Sequence, residues 1–318
     1  MTLTTHATIW RVNNTAGVVA DFTTIQTAHD AATAGDTIYV EASATNYSSF
    51  NVSKKVIIIG AGYDKAIYFP DTFGANLGVF ISGITRFLAG SSGSQLIGVR
   101  VNSNNGTTLS ISADNVQIIR CNLSYSGSGF AQSLSIGSAN VIISECSIQG
   151  ISFIAGTGII LRNNFITSIS GVAFSINNAA NAVWVNNIFS GSITLEDQTL
   201  YNNINRSALT LINCNLSNNI DARIGEEVFG TANGNFGNVT GTDVFEATGV
   251  GFEYYRLKTG SPAIGAGLTG EYCGIFGGDT PFVLGMIPPI PWVTKLFNPG
   301  AGSDTQPLNI TISVQSNN

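Results

Sequence analysis

One hydrophobic pattern recurs through the middle of the chain: a short apolar run, a polar pair, and a further apolar residue. It begins at Leu96-Ile-Gly-Val-Arg-Val101, Val116-Gln-Ile-Ile-Arg-Cys-Asn-Leu123 and Val141-Ile-Ile-Ser-Glu-Cys-Ser-Ile148. It continues at Ile159-Ile-Leu-Arg-Asn-Asn-Phe-Ile166, Val183-Trp-Val-Asn-Asn-Ile-Phe189, Leu200-Tyr-Asn-Asn-Ile204 and Leu216-Ser-Asn-Asn-Ile220. Counted on the second polar residue, Cys121, Cys146, Asn164, Asn187, Asn203 and Asn219 lie 25, 18, 23, 16 and 16 residues apart. A unit this short and this rich in β-branched residues is not a helical repeat. Its changing length predicts loops of variable size on a constant core. That is a β-solenoid, in which each coil buries its apolar face against the next.

The Asn pairs fit the bends between strands. Asn tolerates the left-handed backbone better than other non-glycine residues. Stacked at the strand spacing, equivalent Asn side chains can hydrogen-bond along a ladder. Cys121 and Cys146 take the same ladder position as the later Asn residues, so the two thiols are expected to be neighbours, bonded or free.

The ends break the pattern. Residues 21–35 predict a single helix, with Thr23 and Gln26 as a capping box, Ile25, Ala28 and Ala32 on one face, and Gly35 as the stop. A helix there serves as a lid over the open first coil. Thr37-Ile-Tyr-Val40 and Val56-Ile-Ile-Ile59 read as early strands. Residues 221–258 interrupt the repeat as a long loop or lateral excursion rich in acids. Pro288, Pro289 and Pro291 bar a central strand. Beyond them Ile290, Trp292 and Leu296, then Leu308, Ile310, Ile312 and Val314, predict a hairpin over 290–315 turning at 298–303. The domain reading is therefore residues 1–7 as a signal-peptide remnant or cloning residues, 8–286 as the β-helix with its helical cap, and 287–318 as a proline-rich segment and hairpin.

Composition narrows the function. The 318 residues include only 13 basic and 19 acidic side chains, against 36 glycines. So few helix-forming charged residues exclude a helical fold. A net charge of −6 excludes the basic stripe that nucleic acid requires. No apolar run reaches the length of a membrane span. The four cysteines show no C-x-x-C spacing, which argues against zinc or thioredoxin-type chemistry. The opening Met1-Thr-Leu-Thr-Thr-His-Ala7-Thr8 lacks a full signal peptide, but Thr5-His-Ala7 fits the tail of a cleavage site.

Three segments carry a resemblance to the right-handed parallel β-helix proteins of the pectin-lyase-like class: Phe22-Thr-Thr-Ile-Gln-Thr-Ala28, Ala34-Gly-Asp-Thr-Ile-Tyr-Val40 and Val56-Ile-Ile-Ile-Gly-Ala-Gly62. More narrowly, the chain resembles secreted β-helix proteins of Bacteroidota. The carriers are Ala7-Thr-Ile-Trp-Arg-Val-Asn-Asn14, Ser261-Pro-Ala-Ile-Gly-Ala-Gly267, Gly274-Ile-Phe-Gly-Gly278 and Pro288-Pro-Ile-Pro291. The resemblance implies a single all-β solenoid and a secreted or cell-surface location. It leaves function open, since this scaffold hosts lyases, hydrolases, adhesins and spikes.

Hydrolysing relatives would carry Asn-Thr-Asp, Asp-Asp and Gly-His-Gly patterns, and glycoside hydrolysis needs paired carboxylates. Here the histidines are His6, in the disposable start, and His29, on the lid helix away from the coil faces. Between Thr72 and Leu195 the acids are Asp114 and Glu145. Arg100, Arg120 and Arg162 fall near Glu145 in the repeat, which reads as a solvated charged row or an Arg–Glu stack rather than a base and its calcium site. Glu196-Asp197 reads as an acidic turn, and the acids of 221–258 lack a calcium-loop pattern. Trp10, Trp184 and Trp292 read as packing residues, although Trp184 would be exposed to a sugar if Val183 and Val185 faced inward.

The sequence reading is thus a non-catalytic structural β-helix of the extracellular space, with no cofactor or metal. Its expected partner is itself, through Ile290, Trp292, Leu296, Leu308, Ile310, Ile312 and Val314. The alternatives are a carbohydrate-active enzyme, lyase or hydrolase, and an adhesin that binds extracellular glycan. In either role the hairpin could also fold back as a cap on the solenoid's last coil.

Overall fold

A computed structural model describes residues 7–72, 77–104, 107–127, 133–153, 156–168, 174–176, 181–297, 308 and 310–316. It is a right-handed parallel β-helix. Strands of two to four residues stack into a ten-stranded face, a nine-stranded face, and a third face divided into sheets of five and three strands. Neighbouring strands along each face come from successive coils and pair in parallel.

The first face shows how the repeat makes the core. Its strands are centred on Ile38, Ile58, Leu96, Ile118, Ile143, Leu161, Trp184 and Leu200, which lie in register from coil to coil. All eight are fully buried. With strands this short, the central residue points inward and its neighbours point out. Trp184 is therefore inside, its indole donating to Gln198 Oε1 at 3.1 Å. The exposed reading of Trp184 is corrected: Val183 and Val185 are the outward pair.

Between the first and second faces each polar pair makes the bend. Its first member takes the left-handed conformation at Arg120, Glu145, Asn163, Asn186, Asn202 and Asn218, with φ from 52° to 58°. The second member points inward and forms the ladder. Asn187 Oδ1 accepts from the amide and side chain of Asn164 at 2.9 and 3.0 Å, and the same pair of bonds links Asn187 to Asn203. The ladder runs on through Asn219 to Asn235, beyond the repeats visible in the sequence. Cys121 and Cys146 continue it downward as free thiols, with the Cys121 amide donating to Cys146 Sγ at 3.3 Å.

The N-terminal lid is a shorter helix than the sequence suggests, Ile25–Ala31. Thr24, not Thr23, caps it, accepting from the Thr27 amide at 3.1 Å. Ile25, Ala28 and Ala32 are buried as the helical pattern requires. His29 is also buried, which corrects its placement away from the coils: its Nε2 accepts from the Ser53 amide at 3.1 Å.

At the other end, residues 221–238 complete a last partial coil and close the core with Phe229. This corrects the alternative in which the hairpin folds back as a cap on the last coil. The strands Trp292–Phe297 and Thr311–Gln315 do pair antiparallel. They leave the body of the protein beside the first coils instead, where Ile290, Trp292 and Val293 line a cleft with Tyr39, Ala61 and Lys65. The turn expected at 298–303 lies outside the described residues.

Candidate functional site

After the last coil the chain turns back along the solenoid. Residues 239–287 cover the outer side of the nine-stranded face. The register explains why they bind there. The residue following each polar pair points outward, and in successive coils it is Arg100, Asn122, Ser147, Phe165, Ile188, Ile204 and Ile220. The later half of this column is apolar and would be exposed if nothing covered it. Val244, Phe245, Ala263, Cys273, Ile275, Phe282 and Met286 of the return segment join Phe165, Ile188, Ile204 and Ile220 in a second core.

The left-handed residues of the bends then hold the segment in place. Asn218 Nδ2 donates to the Ala266 carbonyl at 2.9 Å, Asn186 to Tyr272 at 2.7 Å, and Asn163 to Ile275 and Gly277 at 2.9 and 2.7 Å. Asn202 accepts from the Leu268 amide and donates to Glu271. At the next bend Glu145 pairs with Arg120, and Arg120, one bend further on, donates to the Ile287 carbonyl at 2.9 Å. Gly98 follows, with φ +67°, and a Cβ there would sit 3.1 Å from Pro288 Cδ. Apart from Glu145, these bends thus meet successive stretches of the return segment, in reverse chain order.

The charged row is part of this fastening. Arg120 Nε lies 2.7 Å from Glu145 Oε2, with side chains only 10% and 6% exposed. Burial pushes the Glu145 carboxyl up, opposed by the Arg120 charge and its hydrogen bond. Of the two expected readings the Arg–Glu stack holds for Arg120 and Glu145 and the solvated row does not, because the return segment covers the pair. Arg100 and Arg162 stand in other columns, Arg100 opposite Asn122 and Arg162 opposite Ser144 and Val185. Arg120 and Glu145 consequently have no open side from which to reach a polymer.

A polar cleft of about 250 Å³ remains along the edge of the return segment, lined by Arg162, Asn163, Tyr201, Glu271 and Asp279 among others. Burial works against the charge of Glu271, but hydrogen bonds from the Thr269 hydroxyl and amide and from Asn202 outweigh it and hold the carboxyl below its usual range. A carboxylate so engaged can orient a ligand but is a poor proton donor. Near the first coils, burial pushes Asp64 up to about 6, with Arg100 opposing. Among the described residues no group of three His, Cys, Asp or Glu side chains comes together to hold a metal ion, and the pair Glu196-Asp197 ends a strand in an acidic turn.

The hairpin contrasts with all of this. Ile290 and Trp292 are half-buried at its root, and Trp292 packs edge-on against Phe69 at 5.6 Å. Val293, Leu296, Phe297, Leu308, Ile310, Ile312 and Val314 are between 36% and 63% exposed. A register shift between Val293 and Lys295 places Val293 opposite Val314 and Leu296 opposite Ile312. These four share one face. Trp292 pairs with Gln315 and so lies on the other, which corrects the grouping of Trp292 with Leu296. The strict two-residue alternation missed the bulge, and with it Val293 and Phe297.

No family model and no curated protein sequence matches the chain. Two solved structures share its general form. Escherichia coli YbhC matches with a TM-score of 0.39 and 13% identity, over 76% of this chain and 84% of that one. Pectin methylesterase from carrot matches with a TM-score of 0.39 and 12% identity, over 82% of this chain and 95% of that one.

Proposed function

We propose that the chain is a non-catalytic structural β-helix of the cell surface or extracellular space that associates with itself through its C-terminal hairpin. One observation carries the reading. The hairpin projects an apolar face, Val293, Leu296, Ile312 and Val314, that the described residues leave exposed. Exposed apolar patches of this kind mark sites of association. The buried Arg120–Glu145 pair supports the same conclusion, because the row the sequence offers for chemistry is spent on fastening the return segment. Sedimentation velocity over a wide concentration range tests it. The full chain shows a mean mass that rises with concentration, and the Leu296→Glu, Ile312→Glu chain stays monomeric. Equal behaviour of the two chains rejects the reading.

A second reading, a glycan-binding protein or carbohydrate-active enzyme, rests on the cleft of Arg162, Tyr201, Glu271 and Asp279. Product release from acidic polysaccharides that disappears in the Arg162→Ala chain would favour it over the structural role.

A further inference from the structure

The cleft where the hairpin leaves the body has no part in the structural role. It holds about 320 Å³ between the first coils and the proline-rich segment, with Tyr39, Leu77, Pro288, Pro291 and Trp292 among its walls. Lys65 also lines it, although this lysine is only 7% exposed. Lysine is almost never buried so far unless its charge is paired. Here the Lys65 amine has no hydrogen bond or ion pair among the described residues, and no described acidic side chain lines the cleft. Asp64, its neighbour in the chain, is not a counter-ion: its carboxyl responds to burial and to Arg100. Glu41 is engaged by Arg11 and Asn13. Burial therefore pushes the Lys65 amine below its ordinary range with nothing opposing it. The hydroxyl of Tyr39 makes no hydrogen bond among the described residues either, which leaves a second donor on the same walls.

An apolar concavity with a few convergent polar groups is the usual form of a small-molecule site. A buried cation left unpaired is costly, so a ligand that supplies the anion gains by pairing it, and apolar walls reward an apolar body. One ammonium suits the single charge of a carboxylate. A phosphate would bring more charge and three strong acceptor oxygens to a site with two donors. A sugar acid would leave hydroxyls unpaired against proline, leucine and indole. We infer that the cleft binds a small organic acid with an apolar or aromatic body, its carboxylate on Lys65 and its body against Leu77, Pro288, Pro291 and Trp292. The site is independent of self-association, since all its walls belong to one chain.

Calorimetric titration of the full chain with benzoate tests this. Benzoate should bind saturably at one site. Lys65→Met keeps the stem without the charge and should weaken binding roughly tenfold or more, as loss of a charged hydrogen bond does. Benzyl alcohol, with a similar body and no charge, and galacturonate, with the same charge on a polar body, should each bind more weakly than benzoate. Circular dichroism establishes that the variant folds. Should it not, the wild-type chain serves: saturating benzoate should slow acetylation of Lys65, read by mass spectrometry, and leave the exposed Lys55 unchanged. The inference is overturned by the absence of saturable benzoate binding, by equal binding to a folded Lys65→Met chain, by benzyl alcohol or galacturonate binding as tightly, or by a Lys65 that benzoate does not protect.

Discussion

The return segment and the hairpin are consecutive stretches of one chain, and both are studded with apolar residues. In residues 239–287 those side chains meet an apolar column, Phe165, Ile188, Ile204 and Ile220, and become a second core. In the hairpin Trp292 packs on Phe69 at the root, and the apolar side chains beyond it stay exposed among the described residues. The difference lies in the partner surface and not in the segments. Apart from Phe80, the outer column of the nine-stranded face is polar in the early coils, at Arg100, Asn122 and Ser147, near the contact of Gly98 with Pro288 after which the hairpin leaves the body. An apolar strip there would have drawn the hairpin down. Its absence leaves the hairpin's apolar face exposed.

The strongest way to break this contrast is to release the return segment. Arg120→Ala leaves Glu145 buried without its partner and frees the Ile287 carbonyl, at a cost of about 3–5 kcal/mol. Chemical denaturation measures it, and proteolysis between residues 260 and 287 should begin well before the coils unfold. Asn187→Leu removes a ladder rung that accepts from the Asn164 amide and side chain and donates to the Leu161 carbonyl and to Asn203 Oδ1, so the Asn164 amide and the Leu161 carbonyl lose these partners. At about 1–3 kcal/mol for an orphaned buried group, the loss is on the order of 3 kcal/mol. A fully stable Asn187→Leu chain would remove the structural role of the ladder.

A pH titration sharpens the comparison at the first coils, where the hairpin leaves the body. Asp64 is raised from 3.8 to about 6. A carboxyl favoured in its neutral form contributes stability below pH 3.8, which is lost as pH rises through 6. Asp36 is shifted the other way, to about 2; burial opposes its charge, but bonds from Thr8, Thr33 and Trp10 prevail. Its contribution is present above 3.8 and lost as pH falls through 2. Thermal melts of Asp64→Asn should therefore show a flatter decline between pH 4 and 6 than wild type, with the acid limb unchanged. The smallest effect belongs to the hairpin. Leu296→Glu with Ile312→Glu should alter the stability of the monomer by about 0.5 kcal/mol or less, as exposed positions do.

The solenoid was legible because its signal is repeated: the column through Ile118, Ile143 and Leu161 can be read from the chain before any coordinates. The same column locates Trp184 inside, had the strand centre been used in place of its neighbours. The second core was harder to see. Ile204 and Ile220 were aligned with inward residues such as Leu123, whereas they pair with Ile188 and face outward. Asn205 and Asp221 take the inward places, joined by a hydrogen bond of 3.1 Å. Nor does the sequence tell that the first residue of each Asn pair fastens a segment about fifty to a hundred residues away, since such contacts leave no local period. The hairpin's strands were readable by alternation; the bulge that sorts their faces was not.

The claim that the hairpin is completed by another molecule is tested most directly by hydrogen exchange followed against protein concentration. The amides of the Thr311–Gln315 strand should gain protection as concentration rises, while the amides of the ladder bends stay constant. Exchange at these positions that is the same in dilute and concentrated protein would contradict the account.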